Sequence, residues 1–108
     1  VQQFGTTQDT FQEITEYHVA PDGGLKLFGS IKNIGATNDL TFRISVNDVY
    51  GQTDVITNNV KPGDAQSFTV LNENVGPNTT PPYTDVLLEV ESTSAGNPTD
   101  WQYQDVSF

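Results

Sequence analysis

The stretch Leu40-Thr41-Phe42-Arg43-Ile44-Ser45-Val46-Asn47 decides the fold class. Leu40, Phe42, Ile44 and Val46 alternate with Thr41, Arg43, Ser45 and Asn47. Side chains on a strand point to opposite faces in turn, so this segment has one face for a core and one for solvent, the pattern of a half-buried antiparallel strand. Working outward, the same period recurs. Leu25, Leu27, Gly29 and Ile31 alternate with Lys26, Phe28, Ser30 and Lys32, and the intervening Asn33 to Asp39 has the composition of a hairpin loop. Further strands are predicted at Phe11 to Val19, Thr53 to Val60, Ala65 to Leu71, Thr84 to Ser92 and Trp101 to Phe108.

The punctuation between strands has a physical basis. In Lys61-Pro62-Gly63-Asp64, proline sets the first corner and glycine accepts the positive φ of the second, as a type II turn requires. Pro21-Asp22-Gly23-Gly24 is a turn for the same reasons, and Asn47 to Gly51 reverses the chain before Thr53. Asn72 to Tyr83, with three prolines and no alternation, is the longest irregular connection. Val, Ile and Thr supply 30 of the 108 residues, and branched side chains favour strands. No window carries a helical stripe. These features predict an all-β chain: an antiparallel sandwich of about seven strands, Ig-like or jelly-roll-like, with one domain over residues 11–108. Residues 1–10, polar apart from Phe4, read as an extended N-terminal arm that orders on docking.

Charge and composition narrow the function. Fourteen acidic residues against four basic ones give a formal charge of −10, which repels phosphate backbones and anionic lipids. Nucleic acid and membrane are therefore not expected as partners. The absence of Cys removes thiol catalysis, disulfides and thiolate metal sites. No apolar run is long enough to span a bilayer as a helix. A start at Val1, without a basic and then hydrophobic leader, is what initiator-methionine removal leaves and favours the expectation of a complete small protein made without an export signal, although a cleaved signal peptide or a trimmed chain leaves the same start.

The chain offers little to catalysis. It has no Gly-x-Ser-x-Gly elbow, and its single histidine, His18, sits beside a turn as a surface residue would. Gly23-Gly24 precedes a strand and not the helix that a phosphate loop needs. Asp48, Gly51 and Asp54 echo a calcium loop but lack its later ligands, so a β-turn is the better reading. Glu89 and Glu91 share a solvent face, without a cleft for glycoside hydrolysis. Asn78-Thr79-Thr80 matters only as a sequon in a eukaryotic secretory setting. No enzyme, cofactor or metal is expected.

Two groups of residues are candidates for contact. Phe4, an isolated apolar group on the polar arm, would anchor in a neighbour, with Gln2, Gln3, Thr6 and Thr7 giving uncharged hydrogen bonds. Trp101 and Tyr103 share one face of the last strand, as a sugar-stacking platform or protein contact would, although a tryptophan plugging one end of the sandwich has the same spacing.

The segment from Tyr17 to Phe68 resembles small tailed-phage virion proteins with an Ig-like or jelly-roll sandwich, especially capsid decoration (cement) proteins. The strand Leu25 to Ile34, the Asn33-x-Gly35 turn, the strand Leu40 to Asp48, and Pro62-Gly63 ahead of Ser67-Phe68-Thr69-Val70 carry this resemblance. It implies a non-catalytic protein on the virion surface that stabilises the shell through inter-subunit contacts, with capsid or other virion subunits as partners and a homo-oligomeric state. The same residues look like the Ig modules of bacterial adhesins. That likeness implies instead a secreted or cell-surface module recognising carbohydrate or protein through Trp101 and Tyr103 or the Asn72 to Tyr83 loop.

Overall fold

A computed structural model describes residues 2–20, 25–48, 51–71 and 86–107. They form eight strands: β1 Gln2–Thr6, β2 Gln12–Val19, β3 Lys26–Asn33, β4 Leu40–Asp48, β5 Gly51–Val60, β6 Ala65–Leu71, β7 Val86–Thr93 and β8 Asp100–Ser107. The seven expected strands are all present, within a few residues of the expected limits. The turn at Pro21 to Gly24 and the connection from Asn72 to Tyr83, with its sequon, lie outside the described residues.

The eighth strand is the correction. Residues 2–6 are not a free arm: they pair antiparallel with β8, from Gln2 opposite Gln104 to Thr6 opposite Asp100. Alternation failed to reveal this strand because its inward positions are Gln3, Gly5 and Thr7, none of them a large apolar residue. Space is what places it there. A Cβ on Gly5 would lie 2.3 Å from the Trp101 ring, so a bare backbone at that point lets β1 close over the indole. At the strand end, Thr7 N–H donates to Thr99 O at 2.9 Å, and Thr99 N–H returns a bond to Thr7 Oγ1 at 3.0 Å.

Strands pair in a nested series: β1 with β8, β2 with β7, β3 with β6, and β4 with β5. The chain is thus one long hairpin doubled back on itself and then rolled up. Pairing of β8 with β3 and of β7 with β4 completes two four-stranded sheets, in the orders β1-β8-β3-β6 and β2-β7-β4-β5. We call them the first and second sheets. Of the two architectures expected from sequence, this is the jelly roll, since an Ig-like sandwich pairs several sequence-adjacent strands within its sheets, whereas among the described residues only β4 and β5 do so here.

The inner faces meet in a dry core. Leu27, Ile31, Phe68, Val70, Trp101 and Tyr103 come from the first sheet, and Val19, Leu40, Phe42, Ile44, Val46, Val60, Val86, Leu88 and Val90 from the second. Phe42 bridges them, its ring 5.3 Å from that of Phe68, which stacks in turn on Tyr103 at 6.0 Å. Burying one such side chain stabilises the fold by about 1.5–3 kcal/mol. The Pro62-Gly63 corner takes its expected form, with Gly63 at φ +82° and Asp64 N–H donating to Lys61 O at 3.0 Å.

Candidate interaction face

Since the inward residues fill the core, function must come from the outer faces or the strand ends. Trp101 is only 8% exposed and Tyr103 fully buried, so the binding face proposed for them is corrected: they point inward as the core register demands. Tyr103 also joins Tyr17 of β2 in donating a phenolic hydrogen bond to Asp105 Oδ2, tying the two sheets through a buried carboxylate. Burial first, and then these bonds to Asp105, push both phenols well above the ordinary tyrosine range. The arrangement is structural.

The positions alternating with Trp101 and Tyr103 face outward. Across the first sheet these are Gln2, Phe4 and Thr6 on β1, Asp100, Gln102, Gln104 and Val106 on β8, Lys26, Phe28, Ser30 and Lys32 on β3, and Ala65, Ser67 and Thr69 on β6. Phe4 is 64% exposed, Val106 56% and Phe28 41%, and Phe28 lies directly opposite Val106. A shallow groove of about 530 Å³ runs between Gln2, Phe28, Ser30, Ser67, Gln104 and Val106. A second hollow, of about 280 Å³, lies between Phe4 and the exposed Ile34. Apolar groups thus stand at both ends of a field of amides and hydroxyls. Among the described residues its only charges are Lys26, Lys32 and Asp100.

This placement divides the residues expected to make assembly contacts. Gln2 and Phe4 lie on the outer face, as a contact would require. Gln3 is half-buried beneath it. Thr6 donates to Asp100 Oδ1 at 2.6 Å and Thr7 is buried, so their hydroxyls serve this chain's own fold. Phe28, Ser30, Ser67, Gln104 and Val106 were not anticipated, although their alternation with core residues was visible.

The outer face of the second sheet is different in kind. Glu13 and Glu16 of β2 stand opposite Glu91 and Glu89 of β7, with Asp54 on β5 beyond. One cation answers them: Arg43 reaches Glu91 at 3.1 Å, sits 3.9 Å from Asp54, and lies under the Phe11 ring at 3.7 Å. Ser45 donates to the same Glu91 and Asn47 to Glu89. Local desolvation, followed by a hydrogen bond with Glu16 and repulsion from Glu16, Glu89 and Glu91, pushes Glu13 up to about 7. Glu89 and Glu91 are on the outer face as expected, but Glu91 is buried by its partners and not bathed in solvent.

Among the described residues, no group of three His, Cys, Asp or Glu side chains could hold a metal ion, and no helix could cross a membrane. Asp54 of the calcium-like stretch faces Arg43, Gly51 has φ +116°, and the side chain of Asp48 is outside the described set. His18 is exposed on β2.

No family model and no curated protein matches the sequence. Among solved structures, the chain is similar to a Bacillus endospore appendage, one of a family of disulfide-linked pili, at 20% identity and a TM-score of 0.56 over 95% of this chain and 80% of that one. It also aligns with a chain of infectious bursal disease virus: 16% identity and a TM-score of 0.48 in the Gt strain, over 99% of this chain and 29% of the viral one. The Gx strain gives 16% identity and a TM-score of 0.46 over the same shares of both chains. At these identities the likeness is one of fold.

Proposed function

We propose that this chain is a non-catalytic assembly protein, and specifically a decoration protein that binds the outer surface of a virion and stabilises its shell. The observation that carries this reading is the outer face of the first sheet. On a chain of charge −10, that face presents Phe4, Phe28 and Val106 among glutamines and hydroxyls, with Asp100 as its one carboxylate among the described residues. Exposed aromatic and aliphatic groups set together among uncharged polar ones are the composition of a protein contact. The pilus similarity is compatible with this, because that protein too is an assembly subunit. Its disulfide linkage has no counterpart in these 108 residues, which contain no cysteine. Weak contacts suffice on a shell that offers many sites at once.

The alternative of a carbohydrate- or protein-binding surface module took its contact from Trp101 and Tyr103, which are core residues. Its other contact, the Asn72 to Tyr83 loop, lies outside the described residues.

Co-sedimentation with virions from the same source tests the proposal. The wild-type chain should pellet with particles, and the double variant Phe28→Asp with Val106→Asp should lose at least about tenfold in affinity at an unchanged melting temperature. A wild-type chain that stays in the supernatant, or a variant that binds equally well, would overturn it.

A further inference from the structure

The two outer faces of this sandwich differ in charge, one bearing two lysines and Asp100 and the other crowded with carboxylates, and they lie back to back. On the first sheet the cations Lys26 and Lys32 are exposed, and neither forms an ion pair among the described residues. On the second sheet five carboxylates, Glu13, Glu16, Glu89, Glu91 and Asp54, share one arginine. The crowding there is geometric: Glu13 stands directly opposite Glu91 and Glu16 opposite Glu89, and local desolvation, the hydrogen bond with Glu16 and repulsion from these neighbours together raise the Glu13 carboxyl. A face that would gain from cations and a face that offers them therefore belong to the same molecule.

We propose that the outer face of the first sheet docks on the outer face of the second sheet of another copy, so that copies stack head to tail. The contact is heterologous, because each copy uses a different surface on either side, and it does not close on itself. Size supports it. Four strands of about eight residues present a plane of roughly 25 Å by 19 Å, which buries on the order of 1,000 Å² when two such faces meet. That is the lower limit for a specific interface, so each contact is weak and the stack grows with concentration. Lys26 and Lys32 supply the attraction, and Phe28 and Val106 the apolar contact. Only the terminal copy of a stack keeps its first-sheet face free, so stacking and attachment to a shell compete for that face on every other copy. Self-association of the isolated chain is also measured without particles, and its failure would leave the decoration reading standing.

Analytical ultracentrifugation of the full chain, from about 10 µM to about 1 mM, reads the weak association expected of an interface this small. Average mass should climb past the dimer without a plateau in about 20 mM NaCl, and association should weaken at least about tenfold in about 500 mM NaCl. Two variants then separate the faces. Lys26→Gln with Lys32→Gln and Phe28→Ser removes the docking face, and Glu16→Gln with Glu89→Gln weakens the receiving one. Neutral replacements avoid creating a new charge pair. Each variant alone should remain monomeric, and an equimolar mixture should stop at one-to-one dimers, since one intact face of each kind remains. A monomer at the highest concentration, a dimer that saturates at two copies, salt-independent association, or a mixture that stays monomeric would each overturn the proposal.

Discussion

The Thr99 hydroxyl donates to the side-chain carbonyl of Asn33 at 2.8 Å, with both residues buried. Asn33 Oδ1 also accepts from Gly35 N–H at 3.0 Å, while Nδ2 donates to Asn38 O at 2.8 Å and Val60 O at 3.0 Å. One amide thus fastens the β3–β4 loop, the end of β5 and the start of β8. Asn33→Leu should cost about 2–4 kcal/mol in urea denaturation, because it strands several buried polar groups at once. Asn33→Asp should be little better, since a carboxylate has no donor for Asn38 O and Val60 O.

Asp105 presents a second set of buried bonds. Tyr17→Phe and Tyr103→Phe each take one donor from its carboxylate and should cost about 1–3 kcal/mol. Both phenols are raised in the folded state, so above their ordinary value of 10.0 the unfolded chain loses protons that the folded chain keeps. Stability then falls as pH rises past that value. The single Phe variants should lose less between neutral and alkaline pH than the wild type, which paired melting curves would reveal.

Glu13 sets a milder dependence of the same sign. Its carboxyl rises from 4.5 to about 7 on folding, so between those values the folded state binds more protons than the unfolded one. Its contribution to stability therefore declines as pH rises through that window. Glu13→Gln should raise the melting temperature at pH 8 by a few degrees at most, because the site is exposed and screened, and should change little at pH 4. An equal effect at both pH values would exclude charge as the cause.

Gly5 is the test of β1. Gly5→Val puts a side chain into the Trp101 ring, so β1 must lift away, and tryptophan fluorescence should shift to the red as the indole meets water. Removal of residues 1–10 should likewise lower the melting temperature, whereas a free arm would leave it untouched.

The clearest strands were legible because they carry their own core residues at period two, whereas Phe11 to Val19 has mixed spacing that also fits a helical turn and Thr53 to Val60 was read from its branched residues and flanking turns. Leu40, Phe42, Ile44 and Val46 announce a buried face whatever their neighbours are. Strand β1 was not, because Gln3, Gly5 and Thr7 contribute backbone and space in place of apolar surface. The choice between jelly roll and Ig-like order also escaped local reading, since pairing partners lie far apart in the chain. For the same reason Trp101 could be read as a platform or a plug: its face on β8 was clear, but which side would be covered depended on the other sheet. The outer face was implied by the core register, and its exposed Phe4, Phe28 and Val106 could have been placed together once the strand order was known.

The nested pairing also orders events in time. Closing β4 on β5 spans only the two residues between Asp48 and Gly51 in the chain, and each closure brings the ends of the next pair nearer. The molecule should zip from this central hairpin outward, with β1 the last strand to dock and the first to fray. Hydrogen exchange should accordingly run fastest in the amides that β1 and β8 share and slowest where β4 meets β7. The chain's two ends lie side by side on β1 and β8, so a circular permutant joining them and opened elsewhere would exchange the order of folding while keeping the same sheets.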